Sequence, residues 1–179
     1  MPELFAPTIL VLASGRGERF LASGGTTHKL QADLHGRTVL QTTLDTARRS
    51  GLSWHLEDSG HPGMGDSIAA AVQATCNSQG GWMVLPADLP LIRTETLLQI
   101  AQAPMTGQVL VPCFDGRRGH PVRFAPDCRN ALLALKGDQG AARVLTAYTA
   151  IKLEVDDAGC VTDIDTLDDL IRARLAASR

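Results

Sequence analysis

The sequence predicts an α/β domain in which a mostly parallel sheet carries helices on both faces. Two observations support this class. Short apolar runs alternate with amphipathic patterns of about ten residues, an alternation typical of β-α-β units. The runs are apolar at nearly every position, as expected for strands that are covered from both sides. The 179-residue chain shows no internal repeat, low-complexity tract or linker, so we expect residues 1–179 to form a single domain.

Three apolar runs are predicted to be strands, at Thr8–Ala13, Gly81–Pro86 and Gln108–Pro112. Each is rich in Val, Ile, Leu or other large apolar residues and is bounded by Gly, Pro or Ser, which favour turns. In a parallel sheet the carboxyl ends of such strands form the usual ligand-binding edge. We therefore expect the binding and catalytic residues in the loops that follow these strands.

Three amphipathic segments are predicted to be helices, at Thr38–Ser50, Ser67–Cys76 and Thr166–Ala177. In each segment apolar residues recur three or four positions apart, which places them on one helix face. Gly51 ends the first helix, and Asp66 or Ser67 is a candidate N-cap of the second.

Composition excludes several classes of partner. Lys and Arg total 17 against 19 acidic residues, a net charge of −2, so we expect neither nucleic acid nor a membrane surface as a partner. The four cysteines are far apart and form no C-x-x-C pair, which favours free thiols over a disulfide framework or a zinc site. No signal-like or membrane-spanning apolar stretch is present. We expect a soluble, cytoplasmic protein in which any anion site is local.

A glycine-rich, basic loop follows the first predicted strand, in the sequence LASGRGERFLASGGTTHK at residues 12–29. Backbone N–H groups in such a loop can converge on phosphate oxygens. Arg16, Arg19 and Lys29 together supply charge for a triphosphate. The loop matches neither the G-x-x-x-x-G-K-[ST] pattern nor the dinucleotide fingerprint. On the glycines alone, a flexible surface loop is an equally good interpretation.

Two acidic residues lie at the edges of predicted elements. Asp88 follows the second strand in PADLP, and Asp165 precedes the last helix in DIDT. Carboxylates opposite a basic glycine loop are suitable ligands for a hard divalent cation that also contacts phosphate oxygens. The structural alternatives are a turn aspartate for Asp88 and a helix cap for Asp165.

The chain resembles the MobA-like nucleotidyltransferase family almost from end to end. The resemblance rests on the glycine loop with its lysine, on a Gly-Met-x-x-Ser helix start, on an aspartate before Leu-Pro, and on three later blocks. These motifs are Leu12–Phe20 with Lys29-Leu30, Gly63–Ser67, Ala87–Pro90, Arg118–Val122 with Phe124, Gly137–Ala141, and Asp163–Thr166 with Asp169. The later blocks resemble the molybdenum cofactor cytidylyltransferases more than the molybdopterin-guanine dinucleotide synthases. The implied fold is the three-layer α/β/α Rossmann-like fold of nucleotide-diphospho-sugar transferases.

The resemblance implies transfer of CMP, with GMP as the alternative, from a nucleoside triphosphate to the phosphate of molybdopterin or molybdenum cofactor, with release of pyrophosphate. It implies Mg²⁺ as cofactor and a molybdoenzyme or its chaperone as a further partner. The implied catalytic residues are Arg19, Lys29 and Asp88, and the implied metal ligands are Asp88 and Asp165. The implied nucleotide-binding residues are Leu12, Ala13, Ser14, Gly15, Arg16, Gly17, Lys29, Gly65 and Ser67, and the implied acceptor-binding residues are Arg118, His120 and Asp138.

Three departures from the family pattern keep other functions open. Ser14 replaces the usual Ala or Gly, Ala87 replaces the glycine before Asp88, and the segment between Gly51 and Gly63 is short. One strand–helix unit is expected to be trimmed there, leaving residues 53–57 as a strand. The alternatives are a nucleotidyltransferase for another phosphorylated small molecule, such as a sugar phosphate, and a non-catalytic molybdenum cofactor carrier or insertion chaperone.

Overall fold

The computed structural model describes residues 5–177, which form a seven-stranded mixed sheet, a separate two-stranded ribbon and helices on both sheet faces. The strands are β1 (Thr8–Leu12), β2 (Asp33–Leu34), β3 (Arg37–Thr38), β4 (Trp54–Glu57), β5 (Trp82–Pro86), β6 (Val109–Phe114), β7 (Arg117–Arg118), β8 (Val122–Phe124) and β9 (Ala150–Glu154). The helices are α1 (Glu18–Ala22), α2 (Val39–Arg49), α3 (Met64–Ala74), α4 (Thr94–Gln102), α5 (Arg129–Leu133), α6 (Ala142–Ala147) and α7 (Leu167–Ala177).

The large sheet runs in the order β4-β1-β5-β8-β6-β7, and β9 pairs with β6. Strands β4, β1, β5, β6 and β9 share one direction, while β8 and β7 run against their neighbours. The ribbon of β2 and β3 lies outside this sheet. The predicted α/β class with a mostly parallel sheet is confirmed.

Two apolar cores cover the sheet, one on each face. Along β1, Ile9 and Val11 belong to the core built with α2, α4 and α7, whereas Leu10 and Leu12 belong to the core built with α3, α5 and α6. This division follows from the alternation of side chains along a strand. All four residues are at most 4% exposed, which explains why the run reads as continuously apolar.

Element positions agree with the sequence except at the start of α3. The predicted strands appear as β1, β5 and β6, and the short segment after Gly51 keeps only β4 before α3, as the trimmed middle implied. Helix α3 begins at Met64 with Gly63 as its N-cap, so the predicted cap at Asp66 or Ser67 is wrong. The Asp66 carboxylate instead accepts a hydrogen bond from the Gly137 N–H at 2.9 Å.

The sheet brings three loops to one edge. Leu12 is paired with Glu57 of β4 and with Pro86 of β5, so the chain leaves all three strands at the same level. The Ile164 N–H donates to the Asp88 carbonyl at 2.9 Å, which draws the segment before α7 to the same place. None of the helices in residues 5–177 is long and apolar enough to cross a bilayer.

Candidate active site

A cleft of about 710 Å³ opens at this edge of the sheet. Most of the sequence-predicted site residues line it. They are Leu12, Ser14, Gly15, Arg16, Gly17, Arg19, Lys29, Asp88, Arg118, His120, Asp138 and Asp165. Ala13, Gly65 and Ser67 are not among the lining residues.

Lys29 lies at the centre of the charged groups in the cleft. Its Nζ is 2.6 Å from Asp88 Oδ2 and 2.8 Å from Asp165 Oδ1, and Arg19 contacts the other Asp165 oxygen at 2.7 Å. Burial alone would lower the pKa of Lys29, but the charge of Asp88 and the hydrogen bonds to both carboxylates outweigh it and raise the pKa. The ammonium therefore stays charged in a site where its side chain is only 10% exposed.

His28 fixes the position of Lys29 relative to the glycine loop. The His28 Nδ1 accepts the Leu30 N–H at 3.3 Å and so caps the short 3₁₀ helix that contains Lys29. The ring is then protonated on Nε2, which donates to the Gly15 carbonyl at 2.7 Å. One imidazole thus joins both ends of the loop. Motif reasoning missed this role because a lone histidine in a loop carries no spacing signal.

The start of α7 leaves Asp165 available to the cleft. The helix is capped by Thr166 and Asp169: the Asp169 carboxylate accepts the Thr166 N–H at 2.8 Å, and the Asp169 N–H points to the Thr166 hydroxyl at 3.3 Å. Asp165 is therefore not the cap. Burial tends to raise the pKa of Asp169, but its hydrogen bonds to Thr166 and Asp165 prevail and lower it.

Three carboxylates in the cleft have the arrangement of a cation site. One oxygen from each of Asp88, Asp163 and Asp165 lies within 4.8 Å of the others, and the buried Asp88 Oδ1 has no hydrogen-bond partner among the described residues. Carboxylate oxygens are the ligands preferred by Mg²⁺ and Mn²⁺, so the residues fit such an ion. Asp163 was not predicted as a ligand, although its i, i+2 spacing from Asp165 is a signal that would have found it.

The structure gives Ser67, Gly65 and Ala13 positions behind the cleft lining. Ser67 is fully buried, and its hydroxyl contacts the Ser14 hydroxyl at 2.6 Å. A Cβ at Gly65 would lie 2.9 Å from the Gly137 carbonyl. The Ala13 N–H donates to the Glu57 carbonyl at 2.8 Å. Of these three residues, Ser67 supports Ser14, which lines the cleft, from behind.

The edge of the cleft formed by residues 117–120 carries less positive charge than its sequence suggests. Arg118 is exposed, whereas His120 is half-buried and its Nδ1 is fully buried. Burial lowers the pKa of His120, and the nearby Val84 backbone and the Asp88 and Asp163 charges only partly oppose this. The imidazole is therefore uncharged at neutral pH, and the positive charge of this edge comes from Arg117 and Arg118. Arg117 is partly engaged, since it donates to the Val161 carbonyl at 3.1 Å.

A buried carboxylate at the end of β4 orders a further wall of the cleft. Glu57 is 6% exposed and contacts His61 Nε2 at 3.1 Å and the Ser59 N–H at 3.2 Å. Burial would raise the pKa of Glu57, but the hydrogen bonds from Ser59, His61 and His55 lower it. His61 in turn lines the cleft. No sequence pattern predicts this pair, because the contact depends on the turn between β4 and α3.

The chain is similar in sequence to known proteins. Residues 9–152 match the sequence profile of the MobA-like NTP transferase domain. The purine catabolism protein PucB of Bacillus subtilis is 31% identical over 131 residues, which cover 70% of this chain. The chain spans 63% of the length of PucB.

Solved structures of similar shape cover nearly the whole chain. Rv0371c from Mycobacterium tuberculosis superposes with a TM-score of 0.79 at 23% identity, over 96% of this chain and 98% of that one. A manganese complex of Rv0371c superposes with a TM-score of 0.75 at 22% identity, over 96% and 99%. Molybdopterin-guanine dinucleotide biosynthesis protein A from Archaeoglobus fulgidus gives 0.70 at 18% identity, over 96% and 98%. At these identities the likeness establishes the shared fold.

Proposed function

The chain belongs to the MobA-like NTP transferase family, and on that premise we propose that it transfers a nucleotide from a nucleoside triphosphate to molybdopterin or molybdenum cofactor. CMP is the favoured nucleotide and GMP the alternative. The observation that carries the proposal is the Lys29 ammonium between Asp88 and Asp165, with Arg19 on the second Asp165 oxygen, at the rim of a glycine-rich loop. This is a charge arrangement suited to a triphosphate and a cation.

In the proposed reaction, an oxygen of the acceptor phosphate attacks the α-phosphorus of the triphosphate. The new P–O bond forms as the bond to the β-phosphate oxygen breaks, and pyrophosphate leaves with the electron pair. The reaction needs no protein nucleophile, so the protein contributes positioning and charge stabilisation.

The protein's own groups divide this work. Lys29 and Arg19 exchange a carboxylate partner for phosphate oxygens when the triphosphate binds, because both already lie at the loop that would surround it. The Arg19 side chain is 80% exposed and is free to turn. A divalent cation, for which we propose Mg²⁺, would be held by Asp88, Asp163 and Asp165 and would supply further neutralisation of phosphate charge. Arg118 would hold the acceptor phosphate, and Asp138 would contact the acceptor beside it; both residues line the cleft.

The names of similar proteins support this proposal unevenly. The Archaeoglobus protein is named for molybdopterin-guanine dinucleotide synthesis, and Rv0371c has a manganese complex. PucB is named for purine catabolism, so the acceptor rests on the motif resemblance. Another phosphorylated small molecule, such as a sugar phosphate, and a cofactor carrier or insertion chaperone remain the competing functions. We propose the cytoplasm as the location and a molybdoenzyme or its chaperone as the recipient of the product.

The test is incubation of the protein with each labelled triphosphate, Mg²⁺ and molybdopterin, with detection of pyrophosphate and of the dinucleotide product. We expect pyrophosphate with CTP and molybdopterin together, and none when either is omitted. Release only with sugar phosphates would identify the alternative transferase. Tight cofactor binding without nucleotide or metal, and without pyrophosphate, would identify a carrier.

A further inference from the structure

A second pocket, of about 240 Å³, joins the cleft. Four residues line both spaces: Leu12, Met64, Pro86 and His120. The pocket therefore borders the cleft, and we call it the side chamber.

The walls of this side chamber are apolar. The sheet contributes Val84, Val122 and Phe124, and the 140–145 segment closes the opposite side. Small residues create the space: Gly140 and Ala142 lie where larger side chains would fill it, and a Cβ at Gly140 would already be 3.4 Å from Met64. A chamber of this kind loses its volume with one large substitution at its rim.

His120 is the one polar side chain among the lining residues of the side chamber. No Lys or Arg lines the side chamber, so a phosphate would lose its hydration there without compensation. It suits a flat, uncharged ring that stacks on apolar side chains and hydrogen-bonds an imidazole.

The nucleotide is a poor occupant of this space. Of the basic glycine loop at residues 12–29, only Leu12 lines the side chamber. The acceptor is the substrate that remains, because His120 lies beside Arg118 in sequence and lines the cleft with it.

We propose that the side chamber binds the uncharged heteroaromatic ring of the acceptor, while the acceptor phosphate stays in the cleft near Arg118. This inference rests on the proposed function, which supplies an acceptor with a ring of that class. It assigns Gly140, Ala142 and His120 to acceptor selection and leaves the triphosphate to the glycine loop.

The test uses free pterin, a fluorescent ring compound without a phosphate, titrated into the protein. Ala142→Phe fills the side chamber from an exposed position at the first turn of α6, so the fold should tolerate it. Ala147→Phe is the matched control, because Ala147 is exposed on the same helix and does not line the chamber. We expect Ala142→Phe to weaken pterin binding by more than about tenfold, Ala142→Leu to have an intermediate effect, and Ala147→Phe to match the wild type. Calorimetric binding of CTP with Mg²⁺ should be equal in all four proteins.

Equal pterin affinity of the wild type and Ala142→Phe would overturn the inference, as would a wild type that binds CTP but no pterin. Loss of CTP binding in Ala142→Phe alone would also overturn it, since the chamber would then belong to the nucleotide. Failure of the proposed function can be distinguished from failure of this inference. If the wild type binds pterin in the chamber but releases no pyrophosphate with molybdopterin and any triphosphate, the pocket assignment stands and the transfer reaction is refuted.

Discussion

The Lys29 ammonium lies between Asp88 and Asp165, where a bound divalent cation would also lie. Its removal leaves two carboxylates close together in a partly buried site. We expect Lys29→Met to lower the free energy of unfolding by about 2 kcal/mol, discounted for partial exposure of the acids. Thermal denaturation in EDTA measures this. Lys152→Met, at an exposed position on β9, is the control and should denature as the wild type does.

A divalent cation should restore the stability of Lys29→Met. Because the ion would no longer compete with the ammonium, Mn²⁺ is expected to raise the melting temperature of Lys29→Met more than that of the wild type. The same denaturation experiment with and without Mn²⁺ measures the difference. An equal rise in both proteins would show that Lys29 and the ion do not share a site.

Asp163 gives a second test of the cation site at the residue scale. Asp163→Asn removes one of the three charges and should weaken Mn²⁺ binding by roughly tenfold or more, measured by calorimetry. Asp168→Asn is the matched control, because Asp168 is an exposed acid nearby that does not belong to the cluster. Equal weakening in the two variants would mean that general surface charge, not ligation, holds the ion.

A site residue could be predicted from the sequence where it lies at the end of a strand or helix. Lys29, Asp88 and Asp165 follow or precede elements whose ends meet at one sheet edge, so the sequence already suggested that they converge. The role of His28 depends on the path of a loop, which no periodicity encodes, whereas Asp163 could have been found from its i, i+2 spacing from Asp165. The neutral state of His120 depends on burial, which became visible only with β8 placed beside β5.

At the element scale, the start of α7 contains two carboxylates with different roles. Asp169 caps the helix, whereas Asp165 faces Lys29 and Arg19 in the cleft. Asp169→Ala removes the carboxylate that accepts from Thr166 and should cost about 1 kcal/mol of stability, whereas Asp168→Ala should cost little. The pKa of Asp169 is lowered in the folded protein, so its contribution is present above the unfolded pKa of about 3.9 and is lost as the pH falls through the folded value. Urea denaturation of both variants at neutral and acidic pH measures this, and a difference that persists at the acidic end would contradict the capping role.

The first turn of α3 packs directly on the 136–137 backbone. A Cβ on Gly63 would collide with Gly137, whereas one on Gly60 meets no neighbouring atom within 4 Å. We expect Gly63→Ala to destabilise the protein by about 1–3 kcal/mol and Gly60→Ala to be nearly neutral, as measured by urea denaturation. Similar losses in both would mean that backbone freedom, and not this contact, explains the glycine.

This contact also explains why the start of α3 was mispredicted. Glycines lower helix propensity, so the periodicity of apolar residues put the helix start at Ser67, although the Gly63–Ser67 motif marks the start that the structure has. The structure uses them inside the helix start because another backbone passes close by. The three-residue β8 was likewise invisible, since so short a strand shows no alternation. Strands β1, β5 and β6 were predictable because each buries an apolar run, whereas β9 alternates between exposed and half-buried positions and was not predicted.

At the scale of the whole molecule, an apolar core covers each face of the sheet, and the cleft lies at the carboxyl ends of its parallel strands. The fold class followed from periodicity and from the family motifs, and the trimmed segment before α3 reduces one edge of the sheet to β4 without disturbing β1 or β5. The side chamber could not be predicted, because it results from small residues of α6 facing strands that lie far away in the sequence.

We propose that the carboxylate cluster around Lys29 binds a divalent cation together with a nucleoside triphosphate. The electron paramagnetic resonance spectrum of Mn²⁺ with a non-hydrolysable CTP analogue and the protein tests this proposal. We expect a protein-bound Mn²⁺ spectrum for the wild type and the spectrum of the Mn²⁺–nucleotide complex in solution for Asp88→Asn. The same protein-bound spectrum in both proteins would show that the cluster does not hold the ion.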